Sequence, residues 1–168
     1  MRLFVAVWPP ELVLDAIGHL PRPTVAGVRW TTTDQWHVTL RFLGEVAEWA
    51  EVVDALDNTA LPAAEAQLGD GTGRLGRGVL CIDVHGLGPL ASAVTAATAA
   101  LGRPPEERPF HGHVTLARAS RPGGADLRSL AGASIEPHRF PVRSVAVVCS
   151  HLGRAGARYE TLAEVACR

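Results

Sequence analysis

The chain has 168 residues, 47% of them apolar and 20% charged, with a formal net charge of −1. This fits one globular domain or two intimate halves, and it provides no global field to draw in nucleic acid. All 16 basic residues are arginine. That excludes Schiff-base, Walker and adenylylated-lysine chemistry, and leaves any phosphate to Arg, His, hydroxyls or backbone N–H groups.

In chain order, Arg2 to Trp8 reads as a buried strand and not a signal peptide, because its short apolar run ends in Pro9-Pro10. A helix is predicted from Glu11 to Leu20, stopped by Pro21 and Pro23. Val28 to Thr33 leads into an apolar, β-branched strand, Trp36 to Leu43, which Gly44 closes. Glu45 to Asn58 has a helical stripe of Val46, Trp49, Val53 and Leu56. Ala66 to Leu75 and Gly78 to Val84 read as a strand pair, followed by an Ala-rich helix from Gly88 to Leu101 and a polar loop from Gly102 to Arg108. A strand from His113 to about Arg118 precedes a loop at Ala119 to Gly124 and a short helix at Asp126 to Leu130. Val142 to Cys149 and Tyr159 to Val165 complete the strands.

Two of these strands carry the same tetrapeptide, His37-Val38-Thr39-Leu40 and His113-Val114-Thr115-Leu116. Side chains two apart on a strand share a face, so each copy offers an imidazole and a hydroxyl side by side. Two such pairs across a cleft would surround one small anion with two proton-transfer groups and two hydrogen-bond donors. The element order suggests a degenerate duplication with a boundary near residues 76–86, the termini being free to cross between the lobes. The expected fold is α+β, with two mostly antiparallel sheets facing a central cleft and helices outside.

Arg41 shares the His37 face by alternation and is the first candidate phosphate ligand; Arg118 is out of phase and needs a strand end or a bulge to turn inward. Alternation turns Phe42 away from the histidines, making it core first and a base contact second; Trp36 and Tyr159 are the other candidate base contacts. His111-Gly112-His113 invites a metal reading, but carboxylate or thiolate companions are not evident nearby, so no metal and no cofactor is expected. Cys81, Cys149 and Cys167 are odd in number and scattered, which points to free thiols in a reducing, cytoplasmic setting. No apolar run reaches the ~18 residues that span a bilayer.

The two motifs with their flanks resemble the 2H phosphoesterases, and within them the bacterial and archaeal RNA 2′,3′-cyclic phosphodiesterases, historically called 2′-5′ RNA ligases. The resemblance rests on Arg2 to Val7 with Pro9-Pro10-Glu11, on Arg29-Trp30 before His37 to Gly44, on Arg108-Pro109-Phe110 before His113 to Arg118, and on Ser150-His151-Leu152 with Gly156 and Tyr159. Val147-Val148-Cys149 stands where the family often has a Leu-Tyr pair before the serine, and Gly112 where a proline is more usual.

The resemblance implies a two-lobe fold and metal-independent hydrolysis of 2′,3′-cyclic phosphate at RNA ends, or on small cyclic nucleotides, to a 2′-phosphomonoester. It makes His37 the proton donor to the leaving 3′ oxygen and His113 the proton acceptor from water; sequence symmetry alone leaves the roles interchangeable. Thr39 and Thr115, with Arg41 or Arg118, would bind the non-bridging oxygens. Weak 2′-5′ ligation by the reverse reaction, a monomeric state and a cytoplasmic location belong to the same expectation. The rivals are another cyclic or 2′-5′-linked phosphodiester as substrate, and a non-catalytic module that holds RNA ends.

Overall fold

The computed structural model describes residues 1–120, 124–153 and 156–168. The loop expected over Ala119 to Gly124 therefore lies partly outside the described residues. The strands are β1 (Arg2–Val7), β2 (Val28–Trp30), β3 (Val38–Glu45), β4 (Ala64–Leu75), β5 (Val79–His85), β6 (His113–Ala119), β7 (Arg139–Val142), β8 (Ser144–Gly153) and β9 (Gly156–Ala166). The helices are α1 (Glu11–Gly18), α2 (Trp49–Asp57) and α3 (Gly88–Ala97). Short 3₁₀ turns cover Thr33–Gln35 and Leu127–Leu130.

The strands form one antiparallel sheet in the order β7-β4-β5-β6-β3-β1-β8-β9, curled as a half-barrel, with β2 added on β6. The architecture is mostly antiparallel α+β, as the sequence implies, with the two expected sheets fused at a narrow seam. Between β3 and β6 the register holds a single pair, Val38 with Val114. On one side of the seam lie β3, β1, β8 and β9; on the other lie β6, β5, β4 and β7. The C-terminal strands β8 and β9 thus complete the N-terminal half through the pairing of β8 with β1.

The central strand β1 explains the layering. Its Leu3, Val5 and Val7 point into the main core, while Phe4 and Ala6, followed by Trp8, point to the opposite face. Val13 and Ile17 of α1, Val52 and Leu56 of α2, and Leu90, Ala91 and Val94 of α3 cover the core side. The stripe read on the second helix is rotated: Val52 is fully buried and Trp49 is 36% exposed. Truncating a fully buried leucine such as Leu43 or Leu68 to alanine should cost about 2–5 kcal/mol.

Two elements depart from the expected pattern for identifiable reasons. β7 contains Pro141, which disguises it; as an edge strand it tolerates the missing N–H. The third helix ends at Ala97, short of Leu101. The Thr98 hydroxyl bonds the Val94 carbonyl at 2.7 Å, and the Arg41 guanidinium takes the Thr95 carbonyl at 2.7 Å. The Val94 carbonyl still takes the Thr98 N–H, but the Thr95 carbonyl, which the next helical N–H would need, is held by Arg41.

Candidate active site

The first motif histidine sits just before β3. The 3₁₀ turn ahead of it is fixed by a capping box between Thr32 and Gln35. That turn aims the Gln35 carbonyl at His37, whose Nδ1–H donates to it at 2.8 Å. The second motif repeats the arrangement: His113 Nδ1–H donates to the carbonyl of His111 at 2.8 Å. A carbonyl only accepts, so in both rings Nδ1 carries the proton and Nε2 is left as the acceptor nitrogen of the neutral ring. In the neutral state His37 Nε2 accepts from the Thr39 hydroxyl at 3.1 Å.

Both imidazoles, both motif threonines and Arg118 line one cleft of about 540 Å³ on the face opposite the helices. Arg2, Arg29, Phe42, Ser150 and Tyr159 form its rim and walls.

A pair of β-bulges determines which side chains reach this cleft. Opposite β1 the register runs Ala6 with Thr39, then Val5 with Arg41, so Leu40 is the extra residue. Opposite β5 it runs Cys81 with Thr115, then Leu80 with Ala117, so Leu116 is the extra residue. The last residue of each tetrapeptide is therefore a bulge, and side-chain alternation flips immediately after it. Phe42 and Arg118 are carried into the cleft; Arg41 and Ala117 are carried to the core side.

This corrects three expectations. Arg41 is not at the phosphate side: it is 6% exposed, with Nη1 on the Thr95 carbonyl and Nη2 on the carbonyls of Leu101 (3.3 Å) and Arg103 (2.9 Å). Burial lowers its pKa; the carbonyl of Thr95 in α3 and those of Leu101 and Arg103 beyond it hold both Nη atoms, while the buried Nε has no hydrogen-bond partner. Phe42 faces the cleft and not the core, with the Arg2 guanidinium 4.7 Å and the Arg103 guanidinium 5.7 Å from its ring centroid. Trp36 is 1% exposed and makes no cleft wall; its Nε1–H donates to the Thr31 hydroxyl at 2.9 Å, which in turn donates to the carbonyls of Thr115 and Leu116. Trp36 thus braces the second motif from behind.

Arg118 stands closest to the second motif, with Nη2 3.5 Å from the Thr115 hydroxyl, and its charge is felt by both imidazoles. Tyr159 lies edge-on to His37, 4.9 Å between centroids. Phe4 at 4.9 Å and Trp8 at 5.4 Å complete an aromatic cage around that ring. Sequence alone does not single out Phe4 and Trp8; the alternation of Phe4 and Ala6 on β1 with Trp8 just after it is the available signal, but only the pairing of β1 with β3 connects it to His37.

The cage sets the electrostatics. Burial pushes the His37 pKa down to about 4, aided by the charges of Arg118 and His113 and opposed by the Gln35 carbonyl. The His113 pKa is also lowered, first by burial and then by His111 and Arg118, against the pull of its own carbonyl bond and of Asp83. Two imidazoles of lowered pKa lining one cleft with an arginine make a pocket for a single anion. His111 turns its Nε2 to Asp83 Oδ1 at 2.9 Å. Among the described residues no three His, Cys, Asp or Glu side chains are grouped to hold a metal ion.

Comparison with known proteins agrees with this arrangement. The family model described as 2′-5′ RNA ligase superfamily matches residues 9–154. The chain is 31% identical, over 90% of both sequences, to a protein of Aeropyrum pernix named RNA 2′,3′-cyclic phosphodiesterase. Among solved structures it is similar to TT0787 of Thermus thermophilus, with 29% identity, coverage of 100% and 98%, and a TM-score of 0.78. It is also similar to LigT of E. coli complexed with 3′-AMP, with 26% identity, coverage of 99% and 97%, and a TM-score of 0.80. Sequence, topology and the paired motifs together show that the chain belongs to the 2′-5′ RNA ligase superfamily, with the 2H phosphoesterase fold.

Proposed function

We propose that the protein hydrolyses 2′,3′-cyclic phosphodiesters at RNA ends, and on small cyclic nucleotides, to 2′-phosphomonoesters by metal-independent acid–base catalysis. The observation that carries this reading is the matched pair of Nδ1-anchored imidazoles presenting Nε2 to one cleft beside two hydroxyls and Arg118. The superfamily and the A. pernix relative support a phosphodiesterase-type enzyme.

In the proposed reaction, His113 Nε2 takes a proton from water as its oxygen attacks phosphorus. The bond from phosphorus to the 3′ oxygen breaks, and His37 Nε2–H protonates that oxygen. The product is a 2′-monoester with a free 3′-hydroxyl; exchange with solvent returns one proton from His113 and restores one to His37. Thr39, Thr115 and Arg118 hydrogen-bond the non-bridging oxygens as charge accumulates. The family likeness assigns the roles, and the electrostatics add a condition. The donor is the more acidic ring in the free protein, so the bound anion and the leaving oxygen must draw the pair's single proton from His113 to His37.

A 5′-hydroxyl replacing water would form a 2′-5′ linkage, but abundant water makes that the minor path. The enzyme is proposed to act as a monomer, and to do so in the cytoplasm, the location being supported by three free cysteines. Among the described residues no helix is long and apolar enough to cross a membrane. Replacement of either motif histidine tests the proposal: His37→Ala and His113→Ala should each abolish turnover while the protein stays folded. Full activity in either variant would refute two-histidine catalysis, and tight binding of cyclic phosphate without turnover by the unsubstituted protein would favour a binding module.

A further inference from the structure

The two motif histidines are anchored alike but flanked differently, and the difference lies in residues outside the tetrapeptides. His37 is enclosed by Phe4, Trp8 and Tyr159. His113 instead pairs across β5 and β6 with Asp83, whose side chain shares its face of the sheet. His111 bonds Asp83 through Nε2 at 2.9 Å, and its ring lies 5.7 Å from that of His113. Its carbonyl also accepts the His113 Nδ1–H. One residue therefore holds His113 by its backbone and is itself held by Asp83.

The segment is pressed against β5. The Val84 N–H donates to the Gly112 carbonyl at 2.8 Å, and a Cβ at Gly112 would lie 2.5 Å from the Val84 carbonyl oxygen. Only glycine permits this approach, which brings His111 and His113 alongside Asp83.

We infer that Asp83 and His111 are a positioning pair for His113, fixing its orientation through the His111 carbonyl and biasing its affinity for the proton that catalysis moves. This rests on the acid–base reading proposed above. Among the described residues, charged and titratable groups face His113 from several elements. Asp83 comes from β5, Arg118 from β6 and His37 from the segment entering β3; His111 comes from the segment entering β6. Glu106 and Arg108, which line the neighbouring cavity of about 600 Å³, pair with each other. Of the groups acting on His113, Asp83 is the anion that raises its pKa, while His111 and Arg118 lower it. Asp83 thus partly offsets the lowering of the His113 pKa, whereas the aromatic cage expels the proton from His37.

The two members exert opposite electrostatic effects, which separates this role from simple scaffolding. The test is the NMR titration of the His113 imidazole in the free protein, together with the pH profile of kcat/KM. Asp83→Asn should move the His113 midpoint down by ~0.5–1 unit, the size expected of one charge at this range in a partly solvated site. Asp83→Glu should restore the midpoint. His111→Gln keeps a donor for Asp83 but removes the imidazole that lowers the His113 pKa, and should move it up. Midpoints that stay fixed, or that shift the same way in Asp83→Asn and His111→Gln, would overturn the inference. The titration is read without substrate, so absent turnover would count against the proposed reaction and not against the pair.

Discussion

Phe42 and Arg118 occupy equivalent places after the two motifs, each delivered to the cleft by a bulge two residues earlier, at Leu40 and Leu116. The duplicated backbone is used twice for different ends: one copy presents an aromatic face and the other a guanidinium. The arginine that looks equivalent on paper, Arg41, is spent on the end of α3.

The two arginines should therefore fail differently. Arg118→Ala should lower kcat/KM by roughly 10–100-fold, the loss of a charged hydrogen bond worth about 1.5–3 kcal/mol, with little change in thermal unfolding. Arg41→Ala should lower the melting temperature by several degrees, because buried carbonyls lose their donor, and should leave KM near its starting value. Steady-state kinetics beside a thermal melt distinguishes them.

The motif hydroxyls should act on the transition state. Thr39→Val and Thr115→Val each remove one donor without changing shape and should raise the barrier by ~1–4 kcal/mol, seen mainly in kcat. Equal loss in KM alone would place the hydroxyls in ground-state binding.

In the proposed reaction the two depressed imidazoles set the pH profile, and the reactive form carries one proton between His37 and His113. Above both pKa values the pair has none, and below both it has two, so kcat/KM should fall on either side. One value is about 4 and the other is below the ordinary 6.5, which puts the optimum of kcat/KM in mildly acidic solution. A bound phosphate monoanion stabilises both imidazolium forms, so the bell for kcat should be displaced to higher pH than that for kcat/KM. Coincident bells at neutral pH would contradict the site's electrostatics.

The same burial links His37 to stability. Its folded pKa of about 4 lies below the unfolded value near 6.5. The unfolded chain therefore binds the extra proton between these values, and stability present above pH 6.5 is lost as pH falls toward 4. The loss is on the order of 3 kcal/mol, at about 1.4 kcal/mol per pH unit over the interval. Denaturant melts of the parent and of His37→Gln across this range should converge as the solution is acidified. Parallel curves would show that the ring is hydrated.

The repeated tetrapeptide, the strand that carries each copy and the mostly antiparallel α+β class were legible in the sequence, because His-x-Thr spacing and β-branched runs are local signals. The orientation of the residues just after each motif was not. Strict alternation assigned Arg41 to the cleft and Phe42 to the core, and one bulge in β3 exchanged them. A bulge depends on the partner strand, so periodicity within one strand gives no sign of it. Trp36 illustrates the same limit: its position beside His37 suggested a cleft wall, whereas its indole N–H finds Thr31 beneath β6. The aromatic cage depends on β1 lying between β3 and β8, a long-range pairing that composition does not encode.

Two imidazoles working on one phosphate without a metal leave a signature in the product. It can be read by following 2′,3′-cyclic AMP by ³¹P NMR in the presence of the protein and excess chelator. The cyclic signal should give way to that of the 2′-monoester alone. A cyclic signal that persists until metal is restored would be incompatible with the metal-free two-histidine reaction, and a 3′-monoester as product would contradict the departure of the 3′ oxygen.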